Sequence, residues 1–331
     1  MINKRLIKII HYEYWPMWAF YLPLFFYFIY KGIQKGHFFY FTNVNRKFDA
    51  YGGLFFDSKT AVDHCIPERF RPKSVLLLPD GDFKTQDFAV WEFPIIAKPD
   101  QGERGRAVLK LSNIFDLNAY LSQTKEPVII QEYIDYQLEY GVFIAYIPQT
   151  GLYKIISLTL KKYFTVVGDG HLTLNELILN TERGVVFYKE IIELTDLRMD
   201  DIPSHGEIIR LHTIGNHCKG TEFIDHSQYI SDKMQLKFNE LLTEIAVFEY
   251  GRFDIKVQLR EDLETFKNFK IIEFNGLAAE PIHIYDERTG YFKSLTTFAH
   301  HWSFLNKISE YQEIAGTKPL KTKDIWTKLW G

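Results

Sequence analysis

The chain has 331 residues but only two cysteines, Cys65 and Cys218. Two thiols cannot build a disulfide framework, and their scarcity fits a reducing, cytoplasmic compartment better than a secreted one. Cys218 stands in a polar stretch as a single cysteine without an obvious catalytic base, so it reads as inert rather than catalytic. Charge of one sign is also missing: the formal net charge is −3 and no long basic run occurs. Nucleic-acid binding needs a concentrated positive field, so no nucleic-acid partner is expected. Internal repeats and low-complexity tracts are absent. The longest apolar stretch, 14–30, contains Pro16 and Pro23, whereas a spanning helix needs about 20 apolar residues. It also lacks the small-residue cleavage site of a signal peptide.

Aromatics are abundant, at 16% of residues, and they crowd the N-terminal segment 1–56. Lys4, Arg5 and Lys8 precede the apolar stretch, and Lys31 and Lys35 follow it. Trp15, Trp18 and the neighbouring tyrosines are residue types that settle at a lipid–water interface. Two readings stand. In one, residues 14–30 form a helix at the inner face of the cytoplasmic membrane, with basic flanks on anionic headgroups. In the other, the helix or a helical hairpin packs on the main domain.

Beyond that segment, helical and extended patterns mix, with strands often adjacent, which predicts an α+β chain rather than regular βαβ units. Extended segments are expected at His37–Thr42, Val75–Leu78, Phe93–Pro99, Val128–Gln131, Tyr140–Tyr146 and Tyr153–Leu158. Helices are expected from Asp57-Ser58 to before Pro67, over Asn113–Leu121 and Leu172–Leu179, and from Ser231 to about Glu249. Gly52-Gly53 and Val166-Val-Gly-Asp-Gly mark turns. His205, His212 and His217 are irregularly spaced and read as polar loop histidines rather than zinc ligands. The tail 301–331 has no assignable role.

Two strands near the C-terminus carry the strongest chemical signal. Phe253, Ile255, Val257 and Leu259 alternate with Asp254, Lys256 and Gln258, giving one apolar and one polar face. In Lys270–Asn275, Glu273 and Asn275 share a face and sit roughly 7 Å apart. Charged groups in apolar strands are costly unless paired or metal-bound. If the two strands pair, Asp254 faces Glu273 and Asn275, and such oxygen donors suit magnesium. An ordinary half-exposed hairpin is the plainer alternative.

Gly251-Arg-Phe-Asp followed by Ile-Ile-Glu-Phe-Asn resembles the metal-binding end of the ATP-grasp carboxylate-amine ligases, the superfamily of D-alanine–D-alanine ligase, the glutamate ligases and cyanophycin synthetase. The resemblance implies an ATP-grasp fold over about 57–300, with a lid lobe near 84–134 and a metal-binding lobe near 135–300. It implies ATP and two magnesium ions, held by Asp254, Glu273 and Asn275, with Arg252 steadying the transferring group. Pro94-Ile-Ile-Ala-Lys98-Pro resembles the strand whose lysine reaches the phosphates. Gly102-Glu-Arg-Gly105-Arg resembles the glycine-rich lid. Val128-Ile-Ile-Gln-Glu132-Tyr133-Ile134 resembles the hinge whose backbone meets adenine, and Glu139 matches the ribose carboxylate. Lys59 sits where the family often places a first ATP-contacting lysine, and is equally readable as a surface helix residue. Val166-Val-Gly-Asp-Gly with Thr173 and Glu176 resembles a turn of the amino-acid ligases. Arg210, with Asn216, Lys219 and Gly220, resembles a phosphate- and acceptor-contacting region of the glutamate-ligase branch, at a different spacing. The segment after Asn275, Gly-Leu-Ala-Ala-Glu-Pro, departs from the D-alanine branch, so D-alanine is not carried over.

The expected activity is activation of a carboxylate as an acyl-phosphate and its joining to an amine. The expected substrates are small or lipid-linked acids and amines. The competing expectations are another reaction on the same nucleotide site, carboxylation or phosphorylation, and a membrane-associated nucleotide-binding protein with a degenerate site.

Overall fold

The computed structural model describes residues 3–55, 58–79, 91–102, 107–195, 197–212 and 215–330. In chain order the helices are α1 (Lys4–Ile10), α2 (Met17–Lys35), α3 (Lys59–Cys65), α4 (Ile114–Gln123), α5 (Leu174–Leu179), α6 (Glu182–Leu194), α7 (Asp232–Ile245), α8 (Asp262–Thr265), α9 (Tyr291–Ile314) and α10 (Thr322–Trp330). The strands are β1 (Ser74–Leu77), β2 (Ile95–Pro99), β3 (Leu109–Leu111), β4 (Val128–Glu132), β5 (Leu138–Ile147), β6 (Leu152–Lys162), β7 (Thr165–Val167), β8 (Ile208–Arg210), β9 (Glu222–Asp225), β10 (Tyr250–Val257) and β11 (Phe269–Asn275). The pairs β1–β4, β2–β3, β2–β4, β5–β10, β10–β11, β6–β9 and β7–β8 are antiparallel, and the class is α+β, as the sequence pattern predicts.

The compact units do not follow linear ranges. One comprises residues 1–38, 159–228 and 282–300; the other comprises 39–158, 229–281 and 301–331. In the second unit, a four-stranded sheet runs β1-β4-β2-β3. Its buried face gathers Leu77, Ile95, Ala97, Leu111, Val128 and Ile130, and Leu117 of α4 covers it. Asn113 caps α4 by accepting from the amides of Phe115 and Asp116 at 2.9 and 3.1 Å, satisfying donors that have no partner within the helix. A second sheet in this unit runs β11-β10-β5-β6; in the first unit, Thr159–Lys162 pair with β9. Phe143, Ala145 and Tyr250 of the second sheet pack with Val44, Leu305 and Ile308.

The stretch His37–Thr42, expected as a strand, is instead turns and a short 3-10 helix at Tyr40–Asn43. Tertiary partners override its extended propensity. Asn43 Nδ2 donates to the Ser309 carbonyl at 2.9 Å, Ser309 Oγ donates to the Tyr40 carbonyl at 2.8 Å, and the Tyr40 hydroxyl bonds Asn306. The tail that sequence left without a role docks on the same stretch. The Leu320 amide donates to Thr42 Oγ1 at 2.8 Å, and Ile325 is fully buried. Helix α7 stops at Ile245, short of Glu249, because Ala246 turns left-handed at φ +55°.

In the first unit, α5 and α6 pack Leu174, Ile178 and Ile191 with Phe164, Val166 and Leu211. Thr173 and Glu176 close a capping box at the start of α5. These residues, which carry part of the family resemblance, thus have a complete local role as a helix start.

Candidate functional site

Strands β10 and β11 pair so that Asp254 lies opposite Glu273 and Arg252 opposite Asn275. A register shift follows Asp254, and such irregularities re-aim side chains near sites. Asp254 is 4% exposed. Arg252 grips it with a fork, Nε to Oδ1 at 2.8 Å and Nη2 to Oδ2 at 3.3 Å, while Nη1 donates to the Glu280 carbonyl at 3.0 Å. Asn275 Nδ2 reaches Asp254 Oδ2 at 3.4 Å. Burial works against the charge on Arg252, yet Asp254, with Glu273 and Glu280 beyond it, holds the guanidinium protonated.

The end of β11 borders an open cleft with a cavity volume of about 70 Å³. Lys59, Asp63, Gly102, Glu273, Asn275 and Gly53 line it, all within the second unit. Ser58 caps α3 through the Ala61 amide at 3.1 Å, which starts the helix so that Lys59 and Asp63 share one face. Lys59 Nζ donates to the Gly102 carbonyl at 2.9 Å, and Thr60 donates to Asp100 from both its amide and its hydroxyl. The helix start and the loop leaving β2 are therefore tied together. Gly102 sits at φ +148°, a conformation that favours glycine.

Lys98 of β2 is 5% exposed and donates to Gln131 Oε1 at 3.0 Å. Burial lowers its pKa, and the nearby carboxylates Asp63 and Glu273 oppose that shift. Asp63 in turn is pushed up by burial against the pull of Lys98. Gln131 Nε2 beside Lys98 is a buried donor with no hydrogen-bond partner among the described residues.

The other wall is a glycine-lined loop. Leu277 and Ala278 donate their amides to the carbonyls of Gly52 and Gly53 at 3.1 and 3.0 Å. A Cβ on Gly276 would stand 2.6 Å from the Gly52 oxygen. Asn45, fully buried at φ +59°, ties this loop to the start of β10. Its side chain accepts from the Glu249 and Tyr250 amides and donates to the Gly52 and Tyr250 carbonyls.

Around the predicted hinge, Glu132 Oε2 accepts from the Lys73 amide at 3.1 Å. The Ile134 carbonyl accepts from Lys256 Nζ at 2.9 Å. Lys256 also lies 5.2 Å from the Tyr133 ring, and in register it stands directly opposite Glu139. Lys256 and Asp63 are site residues that motif reading passes over. The polar alternation of β10 and the four-residue spacing from Lys59 were the available signals.

Not every expected residue joins this cluster. Gly105 lies outside the described residues. Arg210, Asn216, Lys219 and Gly220 belong to the first unit. There the Arg210 guanidinium lies 5.0 Å over the Tyr163 ring. Asn216 caps the 3-10 turn His217–Lys219 by accepting from the Cys218 amide at 2.9 Å, and Gly220 ends that turn at φ +93°.

Among the described residues, no group of three or more His, Cys, Asp and Glu side chains is placed to hold a metal ion. The trio is two carboxylates and an amide. These are hard oxygen donors of the kind magnesium takes alongside water and phosphate. The donor types fit, but a cation at Asp254 would have to share that carboxylate with Arg252.

No family model and no curated protein matches the chain. Among solved structures, it overlaps a bifunctional glutathione synthetase from Pasteurella multocida at 15% identity and TM-score 0.36, over 72% of this chain and 36% of that one. A D-alanine–D-alanine ligase from Bacillus anthracis complexed with ATP overlaps at 12% identity and TM-score 0.43, covering 77% and 68%. The VanG D-Ala:D-Ser ligase from Enterococcus faecalis does so at 12% and 0.40, covering 74% and 61%. At these identities and overlaps the likeness assigns neither family nor activity.

Proposed function

We propose that the chain is an ATP-grasp ligase that activates a carboxylate as an acyl-phosphate and joins it to an amine. The observation that supports this reading is a convergence within one compact unit. Lys59, Gly102, Glu273 and Asn275 line one cleft, and Lys98 lies within electrostatic reach of Glu273. The sequence resemblance names these residues independently.

In this reading Lys59 and Lys98 receive the ATP phosphates, and the backbone at Gly102 approaches them closely because it carries no Cβ. The backbone of 132–134 meets the base, and Glu139 holds the ribose. Glu273, Asn275 and Asp254 hold magnesium, which when bound would neutralise phosphate charge. Arg252 is poised to stabilise charge that develops on the transferring group.

The test is ADP release by the full chain against pooled amino acids, organic acids and lipid amines, with mass measurement of the product. Asp254→Asn and Glu273→Gln are expected to cut turnover by about 100-fold or more, on the scale of losing one transition-state contact. A product no heavier than either substrate sinks the ligase reading, and unchanged turnover in both variants sinks the site. A second reading, nucleotide binding without turnover, draws on the Arg252 fork that occupies Asp254. It predicts nucleotide affinity with no ADP release under any substrate pool.

A further inference from the structure

Helix α2 has two apolar faces, and the first unit uses one of them. Phe20 and Leu24 are buried, and Phe20 clusters with Tyr12, Ile284, Tyr285 and Tyr291. The Tyr291 hydroxyl donates to the Phe20 carbonyl at 3.1 Å, and the Tyr21 and Tyr285 hydroxyls meet at 3.1 Å. The opposite side carries Trp18, Leu22, Phe25, Phe26 and Ile33, each more than half exposed, with Trp18 at 74% and Ile33 at 69%. Leu22 follows Trp18 by four residues, Phe25 and Phe26 follow Leu22 by three and four, and Ile33 lies two turns beyond Phe26, which places them on one stripe along the helix. Helix α1 repeats the arrangement on a smaller scale. Ile7 is buried, while Leu6, Ile9 and Ile10 face solvent. Single exposed apolar residues are ordinary; a continuous stripe marks an interaction surface.

Charge indicates what covers it. Residues 3–38 carry five cationic side chains, Lys4, Arg5, Lys8, Lys31 and Lys35, and one carboxylate, Glu13. Glu13 is 4% exposed and is held by Arg183 Nη2 at 2.7 Å and by His217 at 2.9 Å. The exposed charge of the segment is thus that of Lys4, Arg5 and Lys8, interleaved among the exposed apolar residues of α1, while Lys31 and Lys35 are half-buried. A second copy of the chain would set like charge against like. Among the described residues no helix is long and apolar enough to cross a membrane.

We propose that α1 and α2 dock this protein on an anionic lipid surface. The Trp18–Ile33 stripe enters the interface, and Lys4, Arg5 and Lys8 meet the headgroups. Trp18 and Tyr30 are suited to that depth, having apolar rings with a polar tip. The inference does not rest on the ligase reading.

The experiment is co-sedimentation of the full chain with phosphatidylcholine vesicles, with and without about one-third phosphatidylglycerol. The expected result is pelleting with the anionic vesicles that weakens as salt rises and little pelleting with neutral ones. Phe25→Asp with Phe26→Asp is expected to reduce partitioning more than tenfold. Both side chains are over half exposed, so thermal unfolding should stay as in the parent. Lys4→Glu with Lys8→Glu is expected to cost about fivefold or more per charge. Three results would overturn the proposal: no pelleting with anionic vesicles, equal pelleting with neutral ones, or a dimer abolished by the Phe25/Phe26 change in a protein that ignores vesicles.

Discussion

Arg252 serves Asp254 twice over, as a counter-charge and as a two-pronged hydrogen-bond donor, and substitutions can separate the two. Arg252→Ala removes the charge partner of a buried carboxylate, which typically costs about 3–5 kcal/mol; urea denaturation should show a loss of that order. Arg252→Lys keeps the charge but cannot reproduce the fork. Its stability loss should be smaller, while ADP release should still fall about 100-fold. Turnover within threefold of the parent would remove the fork from the reaction. The polar members of β10 and β11 were legible because charge in an apolar strand is expensive, so their alternation called for an explanation. Lys256 was visible on the same polar face, but its partner Ile134 lies 122 residues away in sequence. A period of two tells which side a residue faces and not what stands across from it.

The joins between elements decide how well the cleft is held. Gly276 is one close join, since a methyl there would meet the Gly52 oxygen at 2.6 Å and the Gly53 Cα at 2.8 Å, both backbone atoms. Gly276→Ala should therefore push the 51–55 loop off the end of β11. The expected cost is about 1–3 kcal/mol, with nucleotide affinity falling in the same variant because Gly53 lines the cleft. Titration calorimetry showing unchanged affinity would place the nucleotide elsewhere. In the first unit, the Glu13 turn is joined to α6 through Arg183. Burial pushes the Glu13 carboxyl up, but the His217 hydrogen bond and the Arg183 charge more than offset it and hold the pKa low. Its stabilising effect is complete above the ordinary carboxylate pKa of about 4.3. It is lost as pH falls through the lower native value. Glu13→Gln should cost about 3–5 kcal/mol at neutral pH and flatten the acid limb of a stability–pH curve; a limb as steep as the parent's would assign acid lability to other groups. Helices with strong caps, α3, α4 and α7, were readable from sequence to within a few residues. Tyr40–Asn43 was not, because its conformation is set by hydrogen bonds from residues more than 260 positions away.

At the scale of the whole molecule, each compact unit is assembled from three separate stretches of chain. Sequence could supply the order of the segments but not this interleaving, since contact between distant segments leaves no local periodicity. The membership has a consequence for ligand binding. A ligand that binds only the native state stabilises it by about 2.7 kcal/mol at 100 times its dissociation constant. For a folding unit of roughly 200 residues that corresponds to a rise of about 5–10 °C in Tm. ATP with magnesium should produce such a rise, and chelation by EDTA should remove most of it. Hydrogen exchange should localise the protection to the cleft walls, residues 51–55, 59–63, 95–102 and 272–278, within the unit built from 39–158, 229–281 and 301–331. Protection confined to 208–220, or a Tm that does not move at millimolar ATP, would detach the nucleotide from this cleft.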